Sequence, residues 1–144
     1  MEDLFGASLL SKSGTVHTSI LNEAKYILVY FSASWCKPCQ NFTPVLDMLY
    51  ESLNSFDKDL EVVYVSRDHS EEEFNDYYSK MPWLALPFSD EERRLALKER
   101  FAAKGIPALF LINHSGDIKK SDCVPDVKNK GPLCVSDWVA ALNN

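Results

Sequence analysis

The stretch YILVYFSASWCKPCQNFTP, residues 26–44, places two cysteines, separated by two residues, between an apolar run and a helical pattern. Residues 26–31 are apolar or aromatic without alternation, which predicts a strand buried on both faces of a sheet that helices cover. After Cys36, apolar residues recur at the spacing of one helical face as far as Leu53. The sequence therefore predicts a strand, a short loop and a long helix that begins at the cysteines. Pro44 lies inside that helix and is expected to kink it.

Further strands and helices alternate along the chain. LEVVYVS and ALFLI, residues 60–66 and 108–112, have the composition of buried strands. Two Ser-x-x-Glu patterns are capping boxes and predict helix starts. These helices are expected to run from Ser70 to Lys80 and from Ser89 to near Lys104–Gly105.

Both ends of the chain carry weaker signals. Two β-prone runs around Ser13–Gly14 predict a hairpin, followed by a helical turn at 20–25. Asp117–Lys120 is expected to pair with the strand before it. Residues 122–134 hold two prolines and a glycine and are interpreted as a loop, and residues 135–142 as a closing amphipathic helix.

This order of elements predicts an α/β protein. Alternating strands and helices followed by a hairpin indicate a three-layer fold, with a central mixed sheet and helices on both faces. The sheet is expected to be parallel at its centre and antiparallel at its edge. A chain of 144 residues suits one domain, residues 1–144.

Composition excludes several classes of protein. The net charge is -6 and the pI is about 5.0, so binding to nucleic acid through phosphate neutralisation is not expected. The first ten residues are acidic, unlike a signal peptide, and no segment is long and apolar enough to span a membrane. We expect a soluble intracellular protein, in which a Cys-x-x-Cys pair indicates redox chemistry or metal binding.

The position of the pair favours redox chemistry. A thiol attacks a disulfide only as the thiolate, and thiols at helix N-termini have pKa values lowered to about 3.5–7.5. Cys36 is predicted at such a position, and Cys39 lies one turn further along, where it can resolve the mixed disulfide that Cys36 forms. Pro38 fits the first helical turn without loss of a hydrogen bond.

Two neighbours have alternative interpretations. Lys37 either favours the Cys36 thiolate or is an ordinary solvated lysine, the more frequent case at a helix start. Trp35 is either an apolar lid that faces substrate or part of the core, and its place beside the thiol favours the lid.

Two competing site types use the same residues. A zinc site would join the pair to Cys123 and Cys134, but ten residues separate those two, unlike the short knuckles of zinc ribbons. Their loop-like context favours ordinary thiols, with a regulatory disulfide as the alternative. The histidines at positions 17, 69 and 114 share no spacing with the cysteines, so a Cys-His hydrolase has little support.

Three segments together resemble a known family. FSASWCKPCQNFTP, VVYVSRDHSEEEFNDYYSKMPWLALPF and GIPALFLINHSG are similar to the tryparedoxin and nucleoredoxin branch of the thioredoxin fold. The similarity covers most of residues 26–118 and little after Gly116. WCxxC alone indicates only a thioredoxin-like site, whereas MPWLALPF is more specific to this branch.

The resemblance implies roles for individual residues. Cys36 matches the nucleophile, Cys39 the resolving thiol and Trp35 the tryptophan packed beside them. Pro107 matches a cis-proline that faces the active site, and Ile106 offers backbone groups to an extended substrate.

This sequence departs from the family pattern at two positions. The family usually has two prolines between the cysteines, and Lys37 replaces the first. Tyr30 stands where ordinary thioredoxins keep a buried aspartate that helps to deprotonate the resolving thiol. Another group or water must therefore take the proton of Cys39.

The functional expectation is a thiol–disulfide oxidoreductase that reduces protein disulfides. It needs no cofactor beyond the Cys36–Cys39 couple and no metal. Its electrons come from a small dithiol, glutathione or a reductase, and we expect a monomer in the cytoplasm or nucleus. The alternative is a redox-sensing interaction module with little turnover.

Overall fold

One mixed sheet organises the protein, and a computed structural model describes all residues from Met1 to Asn144. The expected fold class is confirmed. The seven strands are β1 (Ser8–Ser11), β2 (Gly14–His17), β3 (Tyr26–Ser32), β4 (Leu60–Ser66), β5 (Leu84–Ala85), β6 (Ala108–Ile112) and β7 (Ile118–Lys120).

Six α-helices and two 3-10 helices connect these strands. The α-helices are α1 (Glu2–Phe5), α2 (Lys37–Leu53), α3 (Glu71–Tyr78), α4 (Glu91–Arg100), α5 (Cys123–Lys130) and α6 (Val135–Leu142). The 3-10 helices are Thr18–Glu23 and Gly131–Cys134.

The strand order is β2-β1-β5-β4-β3-β6-β7. Strands β3, β4 and β5 are parallel, whereas β6 is antiparallel to β3 and β7 is antiparallel to β6. The sheet is thus parallel at its centre, as the sequence predicts. The N-terminal hairpin β1–β2 is also confirmed, and it joins the sheet through a pairing of Leu10 with Ala85.

Apolar cores lie on both faces of the sheet. The larger core packs α2, α3, α5 and α6 against one face, and the smaller core packs α1, α4 and the first 3-10 helix against the other. Every residue of β3 after Tyr26 is buried because helices cover both faces. This fully covered strand is the one that leads into the cysteine pair.

No helix in the fold combines the length and the apolar character needed to cross a bilayer.

The interpretation of residues 122–134 as a loop is wrong. These residues form α5 and the following 3-10 helix, with Cys123 and Val127 buried one turn apart in the larger core. Pro125 is tolerated because it lies in the first turn, where backbone N–H groups have no partner within the helix. Gly131 ends α5 with φ 53°, a conformation that glycine adopts readily.

The helix at 91–100 differs from its predicted bounds. Its N-cap is Asp90 rather than Ser89, because the Asp90 carboxylate accepts the backbone N–H of Arg93. The helix ends at Arg100, before a turn in which Ala102 has φ 52°, and not near Lys104–Gly105.

The remaining differences are small. Ser70 caps α3 as predicted, but α3 ends at Tyr78, before Lys80. The sequence pattern did not predict α1 or β5, which have four and two residues. Helix α2 continues through Pro44 to Leu53, and the expected kink stays a prediction.

Candidate active site

The two cysteines lie where β3 ends and α2 begins. Cys36 is the N-cap residue of α2, and its Sγ accepts a hydrogen bond from the backbone N–H of Cys39 at 3.3 Å. The helix therefore directs unpaired N–H groups and the positive end of its dipole towards the sulfur of Cys36. Pro38 is the second residue of the helix, as the sequence predicts, and Lys37 is exposed beside it.

The two thiols differ in their access to solvent. Both are free thiols; Cys36 retains 8% of its exposure and Cys39 retains none. Burial, followed by the hydrogen bond with the Cys36 thiol, raises the pKa of Cys39 to about 12. Cys36 is consequently the more accessible thiol of the pair, and Cys39 lies behind it and stays protonated at neutral pH.

The segment at Ile106–Pro107 closes the site from the side of β6. The Cys36 thiol donates to the backbone oxygen of Ile106 at 3.7 Å, and the Ile106 side chain packs against the small buried cluster that Ala33 forms with the two cysteines. The Ile106–Pro107 peptide bond is cis. A surface cavity of about 490 Å³ borders this segment. The fold thus brings Ile106, the residue before Pro107, to Cys36 across 70 residues of sequence.

Trp35 forms the exposed rim of the site. Its side chain is 49% exposed, so it is not a core residue. The indole Nε1–H donates to the backbone oxygen of Arg67 at 3.2 Å, and the indole stacks on the His69 ring, with centroids 5.0 Å apart and planes 4° from parallel. These contacts hold a flat apolar surface beside Cys36.

Asp68 is a site residue that the sequence reasoning missed. Its Oδ1 accepts the backbone N–H of Ser34 at 2.7 Å, and its Oδ2 accepts the hydroxyls of Tyr64 and Ser66, each at 2.7 Å. The carboxylate thus fixes the loop that precedes Cys36. The sequence does carry a signal for Asp68, because it comes shortly after β4. The carboxyl ends of neighbouring parallel strands lie at the same edge of the sheet, so a residue there is expected near the loop that follows β3.

A row of buried hydroxyls next to Cys39 was also missed. The Tyr30 and Tyr77 hydroxyls each lie 2.7 Å from the Thr43 hydroxyl, and the Ser32 hydroxyl lies 2.9 Å from that of Tyr77. Burial raises the pKa of both tyrosines, so these side chains stay neutral hydroxyls. Three different elements supply them, and no local pattern in the sequence could have grouped them.

The four cysteines do not form one metal centre. No three side chains among histidine, cysteine, aspartate and glutamate gather into a group that could hold a metal ion. Cys123 and Cys134 are buried in the larger core, and burial raises their pKa values to about 12 and about 11. The zinc alternative therefore lacks the ligand cluster that it requires.

The histidines stand apart from one another. His17 caps the first 3-10 helix through its ring, and His114 bonds the backbone oxygen of Ala24 with its Nε2. Only His69 reaches the rim of the cysteine site, through its stack on Trp35.

Comparison with known proteins finds matches that cover most of the chain. A family described as Thioredoxin-like matches residues 23–118. A tryparedoxin of Trypanosoma brucei brucei is 49% identical over 106 residues, which are 74% of this chain and 72% of that protein. A solved tryparedoxin from Trypanosoma brucei superposes with a TM-score of 0.85 at 41% identity, covering 93% of this chain and 92% of that one. A tryparedoxin II solved in complex with glutathionylspermidine has a TM-score of 0.79 at 37% identity, with 86% of each chain covered.

Longer proteins also match. The nucleoredoxin of Homo sapiens is 38% identical over 116 residues, which are 81% of this chain. The chain spans only 27% of the length of that relative.

Proposed function

Because this chain belongs to the thioredoxin-like family, we propose that it is a thiol–disulfide oxidoreductase in which Cys36 and Cys39 reduce protein disulfides. The observation that carries the proposal is the unequal pair of thiols. Cys36 caps a helix and keeps a small exposed fraction, 8%, whereas Cys39, one turn behind it, is fully buried.

In the first half of the reaction, the Cys36 thiolate attacks one sulfur of the substrate disulfide. A bond forms between Cys36 and that sulfur, the substrate disulfide bond breaks, and the other substrate sulfur leaves with the electron pair. The helix N-terminus and the Cys39 N–H stabilise the negative charge on Cys36 before the attack.

In the second half, Cys39 resolves the mixed disulfide. Its sulfur loses its proton and attacks Cys36, the Cys36–Cys39 disulfide forms, and the second substrate sulfur leaves reduced. Two electrons pass from the protein to the substrate. No further cofactor is needed, since the two thiols are the redox couple.

We propose that substrates bind along Ile106–Pro107 and against Trp35. The Ile106 backbone oxygen lies within reach of the Cys36 sulfur, and an extended peptide can pair with such an open backbone edge. The exposed indole of Trp35, next to Cys36 in sequence, adds an apolar surface. Lys37 adds positive charge beside the reacting sulfur.

The electron donor that we propose is a small thiol of the glutathione type, or a reductase. A related tryparedoxin II was solved in complex with glutathionylspermidine, which supports a small thiol conjugate as the donor class for this chain.

We also propose that residues 1–144 form one domain that acts as a monomer in a reducing compartment, the cytosol or the nucleus. All seven strands join one sheet, and one chain supplies Trp35, both active cysteines and the Ile106–Pro107 segment. The four cysteines are unpaired, as expected in a reducing compartment.

The test is insulin reduction with dithiothreitol as donor, on wild type, Cys36→Ser and Cys39→Ser. We expect wild type to accelerate reduction, Cys36→Ser to be inactive, and Cys39→Ser to accumulate a mixed disulfide visible by mass spectrometry. Cys123→Ala is the matched control and should keep wild-type activity. Redox-dependent capture of partners without insulin reduction would instead favour the interaction module, and stoichiometric zinc in the purified protein would contradict both functions.

A further inference from the structure

The loop between β4 and α3 contacts the active-site loop through three consecutive residues. The backbone oxygen of Arg67 accepts the indole N–H of Trp35 at 3.2 Å. The Asp68 carboxylate accepts the backbone N–H of Ser34 at 2.7 Å. The ring of His69 stacks on the indole, with centroids 5.0 Å apart and planes 4° from parallel. Residues 67–69 therefore hold the loop that precedes α2.

The backbone of His69 is anchored by the start of α3. The Glu73 carboxylate accepts the backbone N–H of His69 at 2.9 Å, and Ser70 Oγ accepts the backbone N–H of Glu73 at 3.2 Å. This is the reciprocal pattern of a capping box, with the glutamate reaching one residue further back than usual. The His69 side chain is 72% exposed, so its ring is held by this anchored backbone and by the stack on Trp35.

These contacts leave one face of the Trp35 indole free. The hydrogen bond to Arg67 fixes the Nε1 edge of the ring, and the stack on His69 covers one face. Because half of the side chain is still exposed, its contact with solvent comes mainly from the opposite face and the free edges. A flat surface of this kind suits contact with an apolar or aromatic side chain.

We propose that His69 is the positioning residue of Trp35, which it holds beside Cys36 so that the free face of the indole receives an apolar side chain next to the substrate disulfide. This role rests on the proposed oxidoreductase function and names the substrate feature that the rim selects. His69 takes no part in the exchange between sulfurs. Its effect therefore belongs to substrate binding and not to the reactivity of the Cys36 thiol.

The charge on the His69 ring changes how strongly the stack holds. A protonated imidazole is attracted to the electron-rich face of the indole. It is also attracted to Glu73, whose Oε1 lies 3.9 Å from Nδ1 of His69. Histidine side chains change charge between about pH 5 and 8. The stack should therefore be tighter at the acidic end of this range.

The other charged groups nearby are engaged elsewhere. The Asp68 carboxylate accepts hydrogen bonds from β4 and from the active-site loop at both of its oxygens. The Arg67 guanidinium donates to the backbone oxygen of Ala103 at 3.5 Å. Lys37, on α2, is exposed and forms no ion pair. Glu73 is thus the ionic partner of the His69 ring.

NMR tests the stack without any reaction. The chain has three tryptophans, so their three indole N–H signals can be followed separately, and Trp35→Phe identifies that of Trp35. We expect this signal to shift between about pH 5 and 8 in wild type and to stay constant in His69→Gln, because the two rings are in contact. The signals of the buried Trp83 and Trp138 should not follow it. A Trp35 signal that does not respond to pH in wild type would overturn the role of His69.

Insulin reduction tests whether the stack serves recognition. We expect His69→Gln to raise KM for insulin about two- to tenfold, which one aromatic pair can contribute, and to leave kcat unchanged. His69→Phe keeps a flat ring against Trp35 and should restore the wild-type KM without the pH response of the indole signal. An unchanged KM in His69→Gln would overturn the proposal, and so would equal rises in the two variants.

His17→Gln is the matched control. His17 is also an exposed histidine 3.9 Å from a glutamate, Glu2, but no aromatic ring stacks on it. This variant should keep the wild-type KM, and equal effects of His17→Gln and His69→Gln would overturn the assignment. The rate of Cys36 alkylation by iodoacetamide should be the same in all variants, and a slower rate in His69→Gln would place its effect at the thiol and overturn the role at the rim.

Failure of the oxidoreductase function gives a different result. Wild type would then not reduce insulin, whereas the pH response of the Trp35 signal would still report the stack. Normal insulin reduction with no such response would overturn the role of His69 alone.

Discussion

Asp68 connects the loop before Cys36 with strand β4 through one buried carboxylate. It accepts from the Ser34 backbone before Cys36 and from the Tyr64 and Ser66 hydroxyls of β4. The active-site loop is therefore tied to the neighbouring strand by a residue that makes no contact with the reacting sulfurs.

We predict that Asp68→Ala lowers the free energy of unfolding by about 3 kcal/mol, because it leaves several buried donors without an acceptor. Urea denaturation measures the loss. Asp76→Ala removes an exposed aspartate whose side chain forms no hydrogen bond or ion pair, and should change the same quantity by less than about 0.5 kcal/mol. Similar losses in both variants would show that Asp68 does not stabilise the loop as its contacts indicate.

The four thiols should differ sharply in reactivity. Burial raises the pKa of Cys39, Cys123 and Cys134, and all three lie fully inside the protein. We predict that iodoacetamide at near-neutral pH labels Cys36 first in the folded, reduced protein, as peptide mass mapping would show. Denatured protein, the control, should label all four. Early labelling of Cys39 would reverse the proposed order of attack.

The C-terminal end of helix α5 is formed by a glycine with positive φ. Gly131 has φ 53° and ψ -135°, and nothing lies within 4 Å of the position that a Cβ would take. The cost of a side chain there is conformational and does not come from a clash.

We predict that Gly131→Ala lowers the free energy of unfolding by about 1 kcal/mol, because alanine disfavours positive φ. Thermal or urea denaturation would measure it. Gly105→Ala, at a site that is equally open but has no positive φ, should be close to neutral. A neutral Gly131→Ala would mean that the end of α5 relaxes without cost.

The elements that the sequence predicts are those whose signal is local. The continuous apolar run of β3 and the helical spacing after Cys36 identify the junction that carries the site. Helix α5 was missed because Pro125 and Gly131 suggest a loop, while the packing of Cys123 and Val127 that overrides them is visible only in three dimensions. Thr43 and Tyr77 are 34 residues apart, so only the folded structure reveals their hydrogen bond.

Buried acidic groups make the stability of the whole molecule depend on pH. Three thiols have pKa values raised by burial from 9.0 to between about 11 and about 12. Below about pH 9 both the folded and the unfolded chain keep these protons. Above it the unfolded chain loses protons that the folded chain retains, so the free energy of unfolding falls until the folded thiols also ionise.

We predict a fall of about 1 kcal/mol per pH unit for each such thiol from about pH 9 upward, measured by urea denaturation in a phosphine reductant. Burial also raises the pKa of five tyrosines, which extends the loss to higher pH: Tyr30, Tyr50, Tyr64, Tyr77 and Tyr78.

A variant with Cys123→Ala and Cys134→Ala is the control for this pH dependence. It should be less stable than wild type near neutrality because alanine leaves space in the core. Its stability should fall less steeply between about pH 9 and about pH 11. Parallel curves for the two proteins would show that these thiols do not couple to unfolding.

The three tryptophans differ in exposure, so the intrinsic fluorescence of the protein can report on the cysteine site. Trp83 and Trp138 are shielded within the larger core, whereas the indole of Trp35 meets solvent at the rim of the cysteine site. A collisional quencher in solution therefore reaches Trp35 alone. In the binding mode proposed above, a disulfide substrate at Cys36 covers that indole, and we expect the fraction of quenchable fluorescence to fall as the site is occupied, with no label attached.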